Sequence, residues 1–226
     1  MFRLLGNKEG LCSQSCGWAF GRWVGHQFGV GHGTGSQTIG TRWVVGHYLG
    51  NPTNPLITII DTPGVGDTEG RDRDQALELV EVLKRVGSID AFIVHLQGTN
   101  SRFSRPLQGQ LNTYQNIFGK KMWNNTILEF TFWSHDRWSI DKRMWNQETN
   151  TTIKHNDMNK AFAERFQLEM TLPSVFVDPA FKERRADEDE KRLNEENTDK
   201  LWRLLTDNST LPFECGNGCQ AGQLSF

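Results

Sequence analysis

The residues best placed to do chemistry lie in one run, Leu56-Ile57-Thr58-Ile59-Ile60-Asp61-Thr62-Pro63-Gly64-Val65-Gly66-Asp67. Its first five residues are all apolar or β-branched, the composition of a strand buried on both faces. The run then stops in Asp-Thr-Pro-Gly, where Pro63 fixes φ and Gly64 lets the backbone pass close to a ligand. An acid at the carboxyl end of a buried parallel strand stands where open α/β sheets bind their ligands. There a carboxylate such as Asp61 holds Mg²⁺, usually through water, and the following Gly64 offers its N–H to a terminal phosphate. The plainer alternative is a strand ending in an ordinary Pro-Gly turn with a capping Asp.

Three other places bear on the same chemistry. A phosphate loop needs glycines whose N–H groups wrap the phosphates and a Lys that reaches the β and γ groups, in the spacing G-x-x-x-x-G-K-[ST]. Gly6-Asn7-Lys8-Glu9-Gly10-Leu11-Cys12-Ser13 keeps Gly6 and Ser13, but Leu11 replaces the second Gly and Cys12 the Lys, so this loop is degenerate or missing. A Thr in the loop before the Asp61 hairpin, Thr38 or Thr41, stands where switch proteins place the hydroxyl that closes a Mg²⁺ shell. Asp136, after the strand-like Ile127–Trp133, either accepts from the two N–H donors of a guanine edge or caps the helix that follows. Val65 stands where Ras-like proteins carry the Gln that positions the attacking water, so any hydrolysis is expected to be slow alone or partner-dependent.

The elements that must position these groups alternate along the chain. Trp43–Gly50 reads as a strand that turns through Asn51–Pro55 into the Asp61 strand, an antiparallel hairpin at a sheet edge. Ala76, Leu77, Val80, Leu83 and Val86 share one face of a helix that opens at Asp72. Ala91–Leu96 is a second buried strand, and Leu107, Leu111, Tyr114 and Ile117 mark the helix after it. A helix near 155–168, a strand from Ser174 and a charged helix ending at Leu205 complete the pattern. Such alternation predicts an α/β sheet with helices on both faces.

At 226 residues, one domain with extensions is favoured over two. A formal net charge of -2 with 23% charged residues excludes a nucleic-acid-coating surface. No apolar run reaches the roughly 20 residues needed to span a bilayer, and a cytoplasmic location is expected. Four cysteines, in two C-x₃-C pairs at Cys12/Cys16 and Cys215/Cys219, admit a zinc site or disulfides without distinguishing them.

Asp61-Thr62-Pro63-Gly64-Val65-Gly66-Asp67 after Gly46-His47-Tyr48-Leu49-Gly50 resembles the immunity-associated GTPases of the avirulence-induced-gene type, relatives of septins and Toc proteins. So do Phe118-Gly119-Lys120-Lys121-Met122-Trp123 and the helix Lys200–Leu205. The resemblance implies a three-layer P-loop NTPase G domain with a mostly parallel sheet. It divides the chain into a degenerate front at 1–35, a G-domain core at 36–180 and a helical, Cys-containing extension at 181–226. It implies GTP or GDP with Mg²⁺, the metal held by Ser13, Thr38 and Asp61, with Thr41 as second choice to Thr38. Gly6, Gly64, His135 and Asp136 complete the nucleotide set, His135 filling the basic place before the base-reading Asp. It further implies GTP binding with slow or partner-assisted hydrolysis and a homo-oligomer formed through the nucleotide face. A nucleotide-free interaction module is the alternative, favoured by Leu11 and Cys12, and an ATPase is a second.

Overall fold

The computed structural model describes residues 2–6, 41–48, 51–62, 72–99, 103–145, 150–178, 180–209 and 211–214. Its strands are β1 (Phe2–Gly6), β2 (Arg42–His47), β3 (Leu56–Asp61), β4 (Ser88–Ile89), β5 (Ala91–Gln97), β6 (Thr126–Thr131), β7 (Ser174–Phe176) and β8 (Phe213–Glu214). Its helices are α1 (Asp72–Val86), α2 (Arg105–Phe118), α3 (Arg137–Trp145), α4 (Thr151–Phe166) and α5 (Glu188–Ser209). Six strands form one sheet in the order β2-β3-β1-β5-β6-β7, and β4 pairs with β8 in a separate ribbon. β3, β5, β6 and β7 run one way, and β1 and β2 run the other. The fold is the three-layer α/β G domain expected, with four of six strands codirectional.

Period-two alternation assigns each strand residue to a layer. Ile60, Phe92, Val94, Leu128 and Phe130 face α1, α2 and α4 in the larger core. Ile59, Ala91, Ile93, Ile127 and Val175 face α5, through Leu201 and Leu205. The expected hairpin is present: β2 pairs antiparallel with β3 at the sheet edge, Arg42 opposite Asp61 and His47 opposite Leu56. Its turn is closed by Asn54, whose Nδ2 donates to Tyr48 O at 2.9 Å, and by Asn51.

Two expectations change. The segment from 181, read as an extension, is instead the second helical layer. Trp202 of α5 stacks on Tyr48 with centroids 4.3 Å apart, and Phe213 meets Phe92 edge-on at 5.3 Å. Without α5, one face of the sheet would expose its apolar residues to water, at about 1.5–3 kcal/mol for each large side chain. α3 was foreseen only as a helix that Asp136 would cap, with no bounds of its own. It has no buried residue, with Trp145 89% exposed, so it carries no apolar stripe for a periodicity argument to find.

Asn125 ties the β4–β8 ribbon to the sheet by donating to Asp90 O and Leu211 O at 3.2 and 3.0 Å. Asp90 is half-buried at this junction, and burial raises its pKa from 3.8 to about 6. Because the folded pKa exceeds the unfolded one, Asp90 favours folding fully below pH 3.8, and that contribution is lost as pH rises to about 6. Asp90→Asn is therefore expected to stabilise the fold at pH 7.5 by about 1 kcal/mol, after allowing for solvent screening of a partly exposed group. Urea unfolding at pH 7.5 and pH 4 checks this, the difference shrinking at the lower pH.

Candidate nucleotide site

The carboxyl ends of β3, β5, β6 and β7 meet at one edge of the sheet, the edge at which α/β proteins bind ligands. Asp61 closes β3 there and is 1% exposed, and Thr62 beside it is equally buried. Asp61 stands opposite Arg42 across the β2–β3 ladder, so Thr41, the residue before Arg42, enters the ladder at the same edge. The Thr41 N–H donates to Glu78 Oε2 of α1 at 3.0 Å. Its side chain is buried at 8% exposure, and its Oγ1 has no hydrogen-bond partner. A buried hydroxyl left unmatched costs about 1–3 kcal/mol, which folding normally avoids. A carboxylate and a hydroxyl that close neighbouring strands at one edge are both oxygen donors, the kind a hard cation requires. Asp61 supplies an oxygen ligand of the kind Mg²⁺ takes.

β6 delivers the second part of the edge. Phe132 takes φ 57° and ends the strand, turning Trp133-Ser134-His135-Asp136 across the edge. Arg143 of α3 holds this turn, donating from Nη2 to Ser134 O at 2.7 Å with its guanidinium 4.5 Å from the Trp133 ring centroid. Gly98, after β5, lies directly beneath it; a Cβ there would sit 2.9 Å from Trp133 and 3.0 Å from Thr131 O, so only glycine fits. Asp136 is the N-cap of α3: Ser139 N donates to its Oδ1 at 2.9 Å and Ser134 Oγ to its Oδ2 at 2.5 Å. Burial pushes the Asp136 pKa up, but these hydrogen bonds outweigh burial and hold it below the usual carboxylate range. The carboxylate is thus anionic and rigid, and two bonds leave it acceptor capacity for more. Asp61 and the β6 turn are separated by β1 and β5, three strand spacings or about 14 Å. An extended ligand with a charged end and a donor-bearing end matches that geometry better than a compact one.

The structure separates the sequence-derived set. Asp61 and Asp136 share the carboxyl edge. His135 does not present itself there: it is 6% exposed, and its Nε2 donates to Phe176 O at 3.2 Å. Burial lowers its pKa, so the ring is a neutral strut between the β6 turn and β7 rather than a base contact. Gly6 is also displaced. β1 pairs antiparallel with both neighbours, Arg3 opposite Asp61 and Gly6 opposite Thr58. Gly6 therefore leaves the sheet three rungs, about 10 Å, from Asp61 and at the opposite end. A loop starting at Gly6 begins on the wrong side for phosphates bound near Asp61. Ser13, Thr38, Gly64, Val65 and all four cysteines lie outside the described residues. Among the described residues, no group of three His, Cys, Asp or Glu side chains forms a metal cluster, and no helix is long and apolar enough to cross a membrane.

Sequence reasoning missed His95 and Glu129. They face each other across β5 and β6 on the α5 side of the sheet, Nδ1 to Oε2 2.6 Å, with side chains 7% and 1% exposed. Each is the single charged or ionisable residue inside an apolar strand run, Ala-Phe-Ile-Val-His-Leu and Thr-Ile-Leu-Glu-Phe-Thr. That interruption at matching depth was the available signal.

This edge, with an acid closing a central strand and a rigid acid after β6, defines an α/β protein of the P-loop GTPase class by fold. The AIG1 family model matches residues 41–155, just over half of the chain, and the protein belongs to that family. Among solved structures, a dimerization-deficient mutant of Toc33 from Arabidopsis thaliana is similar at 17% identity and a TM-score of 0.61, covering 88% of this chain and 82% of that one. A structure of the chloroplast translocon components atToc33 and psToc159, for whose GTPase activity dimerization is important, is similar at 18% identity and a TM-score of 0.58, covering 88% and 78%. No curated protein matches this chain.

Proposed function

We propose that this AIG1-family protein binds guanine nucleotide with Mg²⁺ at the carboxyl edge of its sheet and hydrolyses GTP slowly or only with a partner. The observation that carries this reading is Asp61 buried at the carboxyl end of β3, with Thr41 entering the neighbouring strand at the same edge. In this reading Asp61 and Thr41 hold the metal, and Asp136 accepts from the guanine N–H donors. Thr41, the second choice to Thr38, is assigned this role because it enters β2 at this edge, whereas Thr38 lies outside the described residues. Ser13 and Gly64 remain part of the proposal on sequence spacing alone. Mg²⁺ would supply neutralisation of phosphate charge, and the chain's own residues would orient the nucleotide. Val65 cannot align water, which is why hydrolysis is assigned as slow. Dimerization is proposed by analogy with atToc33 and psToc159, for whose GTPase activity it is important, and the nucleotide face is proposed as its surface.

A nucleotide-free interaction module is the competing reading. The reversed direction of β1 and the absence of a Lys at Cys12 favour it. Titration of fluorescent GTP and GDP with Mg²⁺, competed by ATP, separates the two. Micromolar or tighter binding, about −8 kcal/mol, supports the first reading, and no binding at millimolar nucleotide supports the second. Two variants sharpen the result. Thr41→Val removes a hydroxyl that has no partner, so it is expected to leave the melting temperature unchanged or higher while reducing the Mg²⁺-dependent part of affinity about tenfold. Asp136→Ala is expected to cost about 1 kcal/mol of stability through loss of the α3 cap, and to abolish the preference for GTP over ATP. Retained preference in Asp136→Ala would reduce Asp136 to a helix cap and favour the ATPase alternative.

A further inference from the structure

β7 is the outer strand of the sheet, and an outer strand leaves backbone groups without ladder partners. Here side chains take them. Phe176 N donates to Asn197 Oδ1 at 2.9 Å, and Phe176 O accepts from His135 Nε2. The strand edge is thereby closed to a further strand, and a cavity of about 660 Å³ opens beside it, walled by α3, the first turns of α4 and the middle of α5.

The charges around this cavity do not balance. Arg143, His155 and Lys200 line it, with Glu196 as the one acid among its lining residues. The Glu196 carboxylate is engaged outside the cavity by Arg192, Nη1 to Oε1 2.8 Å, an exposed residue four positions back on α5. His155 Nδ1 lies 2.7 Å from Ser174 Oγ, which fixes its ring against β7. Among the described residues, Lys200 has no hydrogen-bond or ion-pair partner. Burial lowers its pKa with no opposing charge nearby to restore it, and the His155 pKa is lowered by burial and then by Lys200 itself. Lys200 and an imidazole that can take up a proton thus share a wall whose one acid, Glu196, is already paired with Arg192. The first turn of α4, which contributes Thr151 and Thr152, adds the positive end of a 16-residue helix. Ile140, Met144, Phe176 and Leu193 supply apolar surface, and Asn150 and Asn197 add polar groups.

We propose that this cavity binds a small amphipathic anion, a carboxylate or phosphate monoester on a short apolar body, with Lys200 and His155 meeting the anionic head. It is a second site, set on the outer edge of β7; it borders the β6 turn through Trp133 and His135 but lies on the far side of the sheet from Asp61. The shared chemistry is a compact anion beside an apolar group, and the experiment distinguishes its two sources.

The test follows the His155 ring signals by NMR through a pH titration of the full chain, alone and with phenyl phosphate, benzoate or inorganic phosphate. Phenyl phosphate or benzoate at saturation is expected to raise the His155 pKa by about half a unit or more, since a nearby anion favours the charged ring. Whichever binds more tightly identifies the head group, and inorganic phosphate, lacking the apolar body, is expected to bind more weakly than phenyl phosphate. Lys200→Met is expected to weaken binding about tenfold and Lys200→Arg to retain most of it. The proposal is overturned if no anion moves the His155 titration, if Lys200→Met responds like the parent, or if stoichiometric GTP reverses the effect.

Discussion

In Asp61→Asn, chelating Mg²⁺ is expected to leave GTP affinity unchanged, whereas in the parent protein EDTA weakens it about a hundredfold. The substitution keeps the shape of the side chain and removes its charge. Asp61 is 1% exposed at the end of β3, so whatever it attracts feels a carboxylate poorly screened by water. An amide at the same place offers one neutral oxygen, too little to hold a hard divalent cation whose charge must be met by oxygen ligands. Loss of the metal then removes the counter-charge for the β and γ phosphates. In this chain that loss is severe, because Cys12 stands where the phosphate-loop Lys would share the burden. Nucleotide titration with and without EDTA, alongside thermal melts of both proteins, reads the effect. Equal EDTA sensitivity in parent and variant would put the metal elsewhere and remove the central support for the proposed site.

The second large effect concerns stability. His95→Leu is expected to destabilise the fold by about 3 kcal/mol, and the double variant His95→Leu/Glu129→Leu to recover most of that loss. Glu129 lies in the middle of β6 with its carboxylate 2.6 Å from the His95 ring and almost fully out of water. Taking the imidazole away leaves a buried carboxylate without its nearest partner, and desolvation then dominates. Replacing both residues by leucine restores an apolar run to two strands that are otherwise apolar on this side of the sheet, against Ile93, Ile127 and Val175. Urea unfolding of the parent, both single variants and the double variant closes the cycle. Single costs that simply add would show that the pair is not coupled despite its distance.

Local pattern made much of the molecule legible. The apolar run Leu56–Ile60 formed β3, buried from Thr58 onward, and ended at Asp61; the spacing of Leu83 and Val86 marked α1, and the Pro-rich turn at 51–55 joined β2 to β3. Each of these rests on contacts within a few residues or on one element's periodicity, and those are written directly into the chain. The caps at Ser104 and Asn150, whose side chains accept from Leu107 N and Ile153 N, belong to the same class of local chemistry. α3 escaped for the opposite reason: it buries nothing, so it leaves no pattern.

The sequence pointed to Asp61 and Asp136, because an acid after a buried strand is a local feature. Their common edge, the entry of Thr41 at that edge, the removal of Gly6 to the far end and the turning of His135 into the interior were decided only by the tertiary structure. Strand direction is the physical reason. A five-residue apolar strand such as β1 hydrogen-bonds almost equally well either way round, so its own residues do not say which end will face the site. That choice is made by the register with β3 and β5, across more than fifty residues of chain, and it carries Gly6 with it.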